Sequence, residues 1–356
     1  MAMRYNHSQN DIHLKEQSIM SDAPINVLVA VNFSEDILNR LRAISDRLNI
    51  TCYAGQVPPQ AYGDAEILYT INNFPMPSEA PHLKWIQLHY AGLDGVVNRP
   101  IAQQDHIQIT SASGIHATPI AEYCIGMMLA FSLQLPKMWR FQNQAKWADR
   151  PHETFRPIGL RGQVLGIVGY GSIGRELARI ANAMGMKVLA TKNNLLKPQE
   201  ELDYIETGTG DPNAEIPERL YPTEALGSMV EVCDYVVVTV PLTEKTHHSI
   251  NADILKRMKS TAVIINIARG AVIDEQAMIE ALENGTIAGA ALDVFEEEPL
   301  PVTSPLWKME NVLISPHCAG NNTRYAERAA HVFEENLRRY LNHQPMLNQY
   351  DRKRGY

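Results

Sequence analysis

Gln163-Val164-Leu165-Gly166-Ile167-Val168-Gly169-Tyr170-Gly171-Ser172-Ile173-Gly174 is the stretch that decides the fold. A short apolar run leads into glycines spaced G-x-G-x-x-G, and Ile173, Leu177, Ile180, Ala181 and Met184 follow at helical spacing. Strand, glycine turn and helix in that order build the phosphate end of a dinucleotide site. The first glycine permits the tight turn, the second lets backbone approach a pyrophosphate, and the third packs helix against strand. The helix N-terminus then turns unpaired N–H groups toward the phosphates. A lone glycine triplet is a weak signal, but the flanking strand and helix make it specific. Gly169, Tyr170, Gly171, Ser172, Ile173 and Gly174 are therefore candidate cofactor contacts.

Three apolar runs downstream, Ala262–Ile267, Ile287–Leu292 and Val312–Ser315, lack polar alternation. That is how strands buried on both faces of a parallel sheet read. Arg269, Glu298 and His317 each come just after one of them. In open parallel sheets ligands bind in the crevice outside the carboxyl ends of the strands. A guanidinium, a carboxylate and an imidazole are thus expected to face one crevice, as a carboxylate clamp, a tuning group and a proton donor. The blander alternatives are a surface ion pair for Arg269, a solvated acidic loop for Glu296-Glu297-Glu298, and a capping role for His317. Placement directly after a buried strand argues for the site at Arg269, and Pro316 with Ala319-Gly320 argues for it at His317; Glu296 and Glu297 read as solvated.

A second α/β alternation lies upstream, with strands at Ile25–Val31, Glu66–Thr70, Leu83–Leu88 and Ile107–Thr110 and a helix at Glu35–Leu48. Thr118-Pro119 reads as an N-cap and N1 pair opening a helix to about Leu135. After Gln163–Val168, further strands are expected at Lys187–Ala190 and Tyr235–Val240. Between these two lies Lys192–Gly227, long for a loop, with a helix near Pro222–Met229. A last helix at Arg324–Asn342 is expected to pack back on the first lobe. The fold class is α/β: two Rossmann-like, doubly wound, mostly parallel lobes with a cleft between them. Residues 25–117 and 324–356 form one lobe, 118–135 an interdomain helix, 136–323 the dinucleotide lobe, and 1–24 a disordered extension.

Composition narrows the function. The chain has 356 residues, 45% hydrophobic and 20% charged, and a net charge of −8, which leaves no electrostatic footprint for nucleic acid. Arg352-Lys353-Arg354 reads as a solvated tail. No segment has the length and apolarity of a membrane span, and residues 1–24 lack the apolar core of a secretory signal. Cys52, Cys124, Cys233 and Cys318 have no metal-ligand spacing and fit reduced thiols of a cytoplasmic protein. His89, His116 and His247-His248 also lack such spacing, so no metal is expected.

In Gly169–Gly174, Asn266-Ile267-Ala268-Arg269-Gly270, Leu292-Asp293-Val294-Phe295 before Glu298-Pro299, and Ser315-Pro316-His317 with Ala319-Gly320, the chain resembles the D-isomer-specific 2-hydroxyacid dehydrogenases. The resemblance runs from Ile25 to Leu341. It implies a homodimeric NAD(P)-dependent oxidoreductase that interconverts a small 2-oxo acid and its D-2-hydroxy acid, with a glyoxylate or hydroxypyruvate reductase favoured. Arg269 would hold the substrate carboxylate bidentately. His317, as imidazolium, would protonate the carbonyl oxygen as hydride arrives, and Glu298 on the other ring nitrogen would fix the tautomer. The resemblance also assigns Tyr90, Ala91 and Gly92 to a substrate-carboxylate loop in the first, substrate-binding lobe. It assigns Thr118, Val240, Pro241, Thr246, Ile267, Ala268, Asp293, Ala319 and Gly320 to the cofactor, Asp293 reaching the nicotinamide amide. Trp147 is a further candidate substrate contact. Alternatives on the same fold are a phosphite- or 3-phosphoglycerate-oxidising relative, the latter usually carrying an extra regulatory domain, and a nucleotide-sensing corepressor.

Cofactor choice turns on one position. An acidic residue about twenty positions past the glycines grips the ribose 2′-OH in NAD sites. Here the strand ends in Thr191-Lys192-Asn193, with Lys192 in the acidic place. A lysine attracts a 2′-phosphate, so Thr191 and Lys192 are expected beside NADP, with NAD still possible if Lys192 faces solvent.

Overall fold

The computed structural model describes residues 23–93, 95–199 and 204–352. All but the last two residues of the expected extension 1–24 lie outside them. The chain divides into two units: the described residues to Ala112 together with those from Ala326, and Ser113–Tyr325.

The smaller unit is built on five parallel strands: β1 (Ile25–Ala30), β2 (Leu48–Cys52), β3 (Ile67–Thr70), β4 (Trp85–Leu88) and β5 (Gln108–Thr110). Their order is β2-β1-β3-β4-β5. Successive side chains of a strand point to opposite faces, so Val27 and Val29 join one apolar layer while Leu28 and Ala30 join the other. The helix Tyr325–Leu341 closes the first layer with Ala330, Phe333 and Leu337, and the Phe333 ring lies 4.6 Å from that of Tyr69. A buried polar chain ties this helix to the sheet. Trp85 Nε1 donates to Thr110 Oγ1, which donates to Gln87 Oε1, and Asn336 Nδ2 donates to the same oxygen.

Two expectations fail in this unit. The helix from Glu35 ends at Arg42, and Leu48 opens β2 instead of closing the helix. Leu48, Ile50 and Cys52 alternate toward the core, a period-2 signal hidden because Ile44 and Leu48 also fit helical spacing. Arg352 is exposed but anchored, not a free tail residue: its guanidinium donates to the carbonyls of Ala102, Gln104 and Ile107 just before β5, while Lys353 and Arg354 lie outside the described residues.

The larger unit has seven parallel strands: β6 (Val164–Val168), β7 (Lys187–Thr191), β8 (Arg219–Tyr221), β9 (Tyr235–Val238), β10 (Val263–Asn266), β11 (Gly289–Leu292) and β12 (Val312–Ile314). Their order is β12-β11-β10-β9-β6-β7-β8, so chain order reverses between β6 and β9, where doubly wound sheets place their ligand crevice. β8 was not expected; its three residues sit inside the Lys192–Gly227 segment, too short to show a period. The helix expected near Pro222–Met229 is a 3₁₀ turn, Thr223–Ala225, running into Leu226–Val230.

Ala117–Ser132 packs beside the helix Ser172–Ala183 that follows the glycine turn, with Ala121, Cys124 and Met128 meeting Leu177, Ala178 and Ala181. Its N-cap is His116, not Thr118, which therefore lies in the first turn. The helix does not reach Leu135: Gln134, at φ 59°, breaks it before Leu135–Asn143 begins. No described helix is long and apolar enough to cross a membrane.

Candidate active site

Parallel pairing sets the site's register. Asn266 pairs with Leu292, and Leu292 with Ile314, so β10, β11 and β12 end level with one another. Arg269, Glu298 and His317 all leave from those ends. Gly270 brings the first two loops together: a Cβ there would stand 1.9 Å from the Phe295 carbonyl carbon, so only glycine allows the Arg269 turn to lie against the Phe295–Glu298 loop. Arg269 donates from Nη1 to the Ala268 carbonyl at 2.7 Å. His317 Nδ1 lies 2.7 Å from Glu298 Oε2, with the imidazole half exposed. Glu298 is itself fixed, its Oε1 accepting from the Phe295 N–H. With Nδ1 engaged, Nε2 is the nitrogen left for a substrate oxygen.

Asp293, one residue past β11, is 2% exposed. Its carboxylate accepts from Ser315 Oγ at 2.5 Å and from the N–H groups of Cys318 and Ala319, both at 2.9 Å. These bonds tie it to the loop that carries His317. Ser315 Oγ in turn lies 2.6 Å from the hydroxyl of Tyr123 on the helix Ala117–Ser132. Burial pushes that phenol up to about 12, so it stays protonated. Neither Tyr123 nor Ser315 was singled out from the sequence. One aromatic in an apolar helix carries no signal, and Ser315 counted only as part of the Pro-His motif.

At the switch point, Gly169 adopts φ +103° and a Cβ there would meet Val240 Cγ1 at 2.7 Å, which ties the glycine turn to the end of β9. Thr239 Oγ1 donates to the Gly169 carbonyl, and Thr191 Oγ1 accepts from the Gly169 N–H. Gly171 is exposed, and a Cβ there would meet nothing within 4 Å. It caps the helix Ser172–Ala183 with no side chain to fill the first turn, and Ser172 and Ile173 supply the next N–H groups. This open cradle at a helix N-terminus fits a pyrophosphate. Ile267 and Ala268, after β10, and Ala319 are buried, whereas Pro241 stands exposed. Thr246 closes its own loop, its Oγ1 donating to the Pro241 carbonyl. Gly320 packs on His116, whose Cδ2 a Cβ would meet at 2.8 Å.

Three expected cofactor contacts make side-chain bonds within the protein. Thr191, 1% exposed, spends its hydroxyl on the glycine turn, and Tyr170, 2% exposed, donates its hydroxyl to Asp211 Oδ2 at 2.6 Å. Thr118 Oγ1 lies 3.5 Å from Glu206 Oε2. The last two contacts belong to the segment after Lys192. Asp211 also accepts from the N–H groups of Glu215 and Ile216, and the buried Arg175 stacks on Tyr170 and donates to the carbonyls of Asp211 and Pro198. Buried Glu176 accepts from the Gly210 N–H. The segment is thus fastened to the helix after the glycine turn. Lys192 itself is half-buried, its N–H donating to the Tyr221 carbonyl. Glu296 is exposed, as expected, and its Oε1 lies 2.8 Å from His248 Nε2.

In the smaller unit, Tyr90-Ala91-Gly92 follows the carboxyl end of β4, and the Tyr90 carbonyl accepts from the Ala112 N–H. Trp147 is 86% exposed.

Residues 125–319 match the family model for the D-isomer specific 2-hydroxyacid dehydrogenase, NAD binding domain. A glyoxylate reductase of Korarchaeum cryptofilum is 31% identical over 308 residues, covering 83% of this chain and 88% of the relative. A crystal structure of a D-isomer specific 2-hydroxyacid dehydrogenase family protein from Aeromonas salmonicida is similar at TM-score 0.76 and 29% identity, over 92% of this chain and 99% of that one. A D-isomer specific 2-hydroxyacid dehydrogenase from Xanthobacter autotrophicus Py2, solved in complex with NADPH and MES, is similar at TM-score 0.74 and 29% identity, over 92% and 100%. The glycine-turn cradle and the His317–Glu298 pair both lie at strand ends of one doubly wound sheet. The chain belongs to the D-isomer specific 2-hydroxyacid dehydrogenase family and is an NAD(P)-dependent 2-hydroxyacid dehydrogenase.

Proposed function

We propose that the protein reduces a small 2-oxo acid of the glyoxylate or hydroxypyruvate kind to its D-2-hydroxy acid, with NADPH preferred over NADH. The observation that carries this reading is the 2.7 Å His317–Glu298 pair at the ends of β11 and β12, with Arg269 at the end of β10 beside them. The glyoxylate reductase relative supports the substrate class. When bound, the nicotinamide supplies the hydride. Arg269 binds the carboxylate of the 2-oxo acid through its planar fork and draws electron density toward the carbonyl oxygen. His317 donates the Nε2 proton to the oxygen that becomes the hydroxyl, and takes it back in oxidation. Glu298 accepts from Nδ1–H throughout, holding the ring's orientation and stabilising its positive charge.

Lys192 supports the NADPH preference because the acidic residue that would repel a 2′-phosphate is missing there. An exposed charge pair contributes only about 0–1 kcal/mol, so the preference is expected to be several-fold. Turnover of a panel of 2-oxo acids, followed with NADPH and with NADH, tests both parts. Reduction of none of them would refute the substrate class, and a higher kcat/KM with NADH would refute the role given to Lys192. Lys192→Asp should weaken NADPH binding most at low ionic strength, where screening is least.

We also propose a homodimer. Leu135, Met138 and Trp139 of the helix Leu135–Asn143 are 39%, 37% and 66% exposed, apolar area that a second copy would cover. Sedimentation equilibrium at micromolar concentration should give twice the chain mass; a monomer mass would rule the dimer out.

A further inference from the structure

We propose that Tyr123, Ser315 and Asp293 form a hydrogen-bonded chain that positions His317 for proton transfer, with Tyr123 and Ser315 acting as positioning residues. The proposal rests on the reading of His317 as the proton donor.

His317 has φ +50°, in the left-handed region that residues with a Cβ seldom adopt. Such a backbone persists only where its surroundings fix it, and here the fixing group is Asp293. Its carbonyl accepts the His317 N–H at 2.8 Å, Oδ1 accepts the Cys318 N–H, and Oδ2 accepts the Ala319 N–H. One residue therefore holds three successive amides of the loop that carries the imidazole. A carboxylate can do this only in one rotamer, because each oxygen must meet its own N–H.

Ser315 sets that rotamer. Its hydroxyl donates to Asp293 Oδ1 at 2.5 Å and adds a second donor to the same oxygen. A hydroxyl has a single proton, so the Tyr123 hydroxyl must be the donor in its 2.6 Å contact with Ser315 Oγ. The direction is then fixed: Tyr123 O–H to Ser315, Ser315 O–H to Asp293, Asp293 to the amides of His317, Cys318 and Ala319. The chain starts on the helix packed against the glycine-turn helix and ends at the ring beside Glu298. It couples the wall of the cofactor-binding unit to the placement of the proton donor.

The test uses the full chain with Ser315→Ala, Ser315→Thr, Tyr123→Phe, the double variant Ser315→Ala/Tyr123→Phe, and His317→Ala. For Ser315→Ala and Tyr123→Phe, kcat for 2-oxo acid reduction should fall roughly tenfold, since small misplacements of a catalytic group are costly. Affinity for the reduced cofactor, read by its fluorescence, should stay unchanged. Ser315→Thr keeps the hydroxyl and should recover most of kcat. The double variant should be no slower than Ser315→Ala, since the two hydroxyls act in series. Wild-type kcat in Ser315→Ala, or multiplying losses in the double variant, would overturn the chain. Weakened cofactor binding at unchanged kcat would overturn it too, by showing that the network serves the cofactor alone. Full turnover by His317→Ala would instead refute the proton-donor reading itself.

Discussion

Arg269→Ala should lower kcat/KM for 2-oxo acid reduction by roughly 10³-fold, while affinity for the reduced cofactor stays within twofold, by analogy with the loss of one preorganised charged donor. The side chain stands at the end of β10, in register with the strands that carry Glu298 and His317. A planar fork there can satisfy both oxygens of a carboxylate and still face the carbonyl oxygen beside it. Because negative charge grows on that oxygen during hydride addition, the guanidinium binds the transition state more tightly than the ground state. The loss should therefore appear in kcat as well as in KM. Arg269→Lys keeps the charge but offers a point donor in place of the fork, and should recover only part of the loss. The main chain at this position is held by Asn266 Nδ2, which donates to the Arg269 carbonyl, and by Gly270, so the alanine variant should fold normally. Steady-state kinetics with fluorescence titration of the cofactor checks this. Turnover within threefold of wild type would remove Arg269 from the site.

What the sequence revealed and what it hid follow from the range of the interactions involved. The glycine turn, the buried strands and the three strand-end residues were legible because each is a local pattern: a turn only glycine fits, a run too apolar to be exposed, a charged residue where the run stops. Leu48–Cys52 was hidden because five residues fit two periods, and pairing with β1 decides between them. Arg219–Tyr221 was hidden because a three-residue edge strand has no period, only a neighbour in β7. Within the candidate site, side-chain direction was the part a linear reading could not supply. Tyr170, Thr191 and Asp293 lie where a cofactor contact is expected, and their side chains bond to Asp211, Gly169 and the His317 loop. Each partner is far away in sequence or present only as backbone, so composition and spacing gave no sign of it. The same holds for Arg175 and Glu176, which are buried under the segment that follows Lys192.

The His317–Glu298 pair predicts losses of two different sizes. On the proposed reading His317→Ala removes the proton donor, so reduction should fall by about 10²–10⁴-fold. Glu298→Gln keeps a hydrogen-bonding side chain of nearly the same shape but removes the charge 2.7 Å from Nδ1. An amide oxygen can still accept from Nδ1–H, so the ring keeps its orientation and loses only the charge assistance of the bond. The imidazole is 50% and the carboxylate 35% exposed, so solvent screens that charge in part. The difference between a charge-assisted and a neutral hydrogen bond then corresponds to a loss of about tenfold in kcat for Glu298→Gln. Affinity for the reduced cofactor should stay unchanged in both variants. Steady-state kinetics with fluorescence titration of the cofactor checks this. Wild-type kcat in Glu298→Gln would take the carboxylate out of the proposed mechanism.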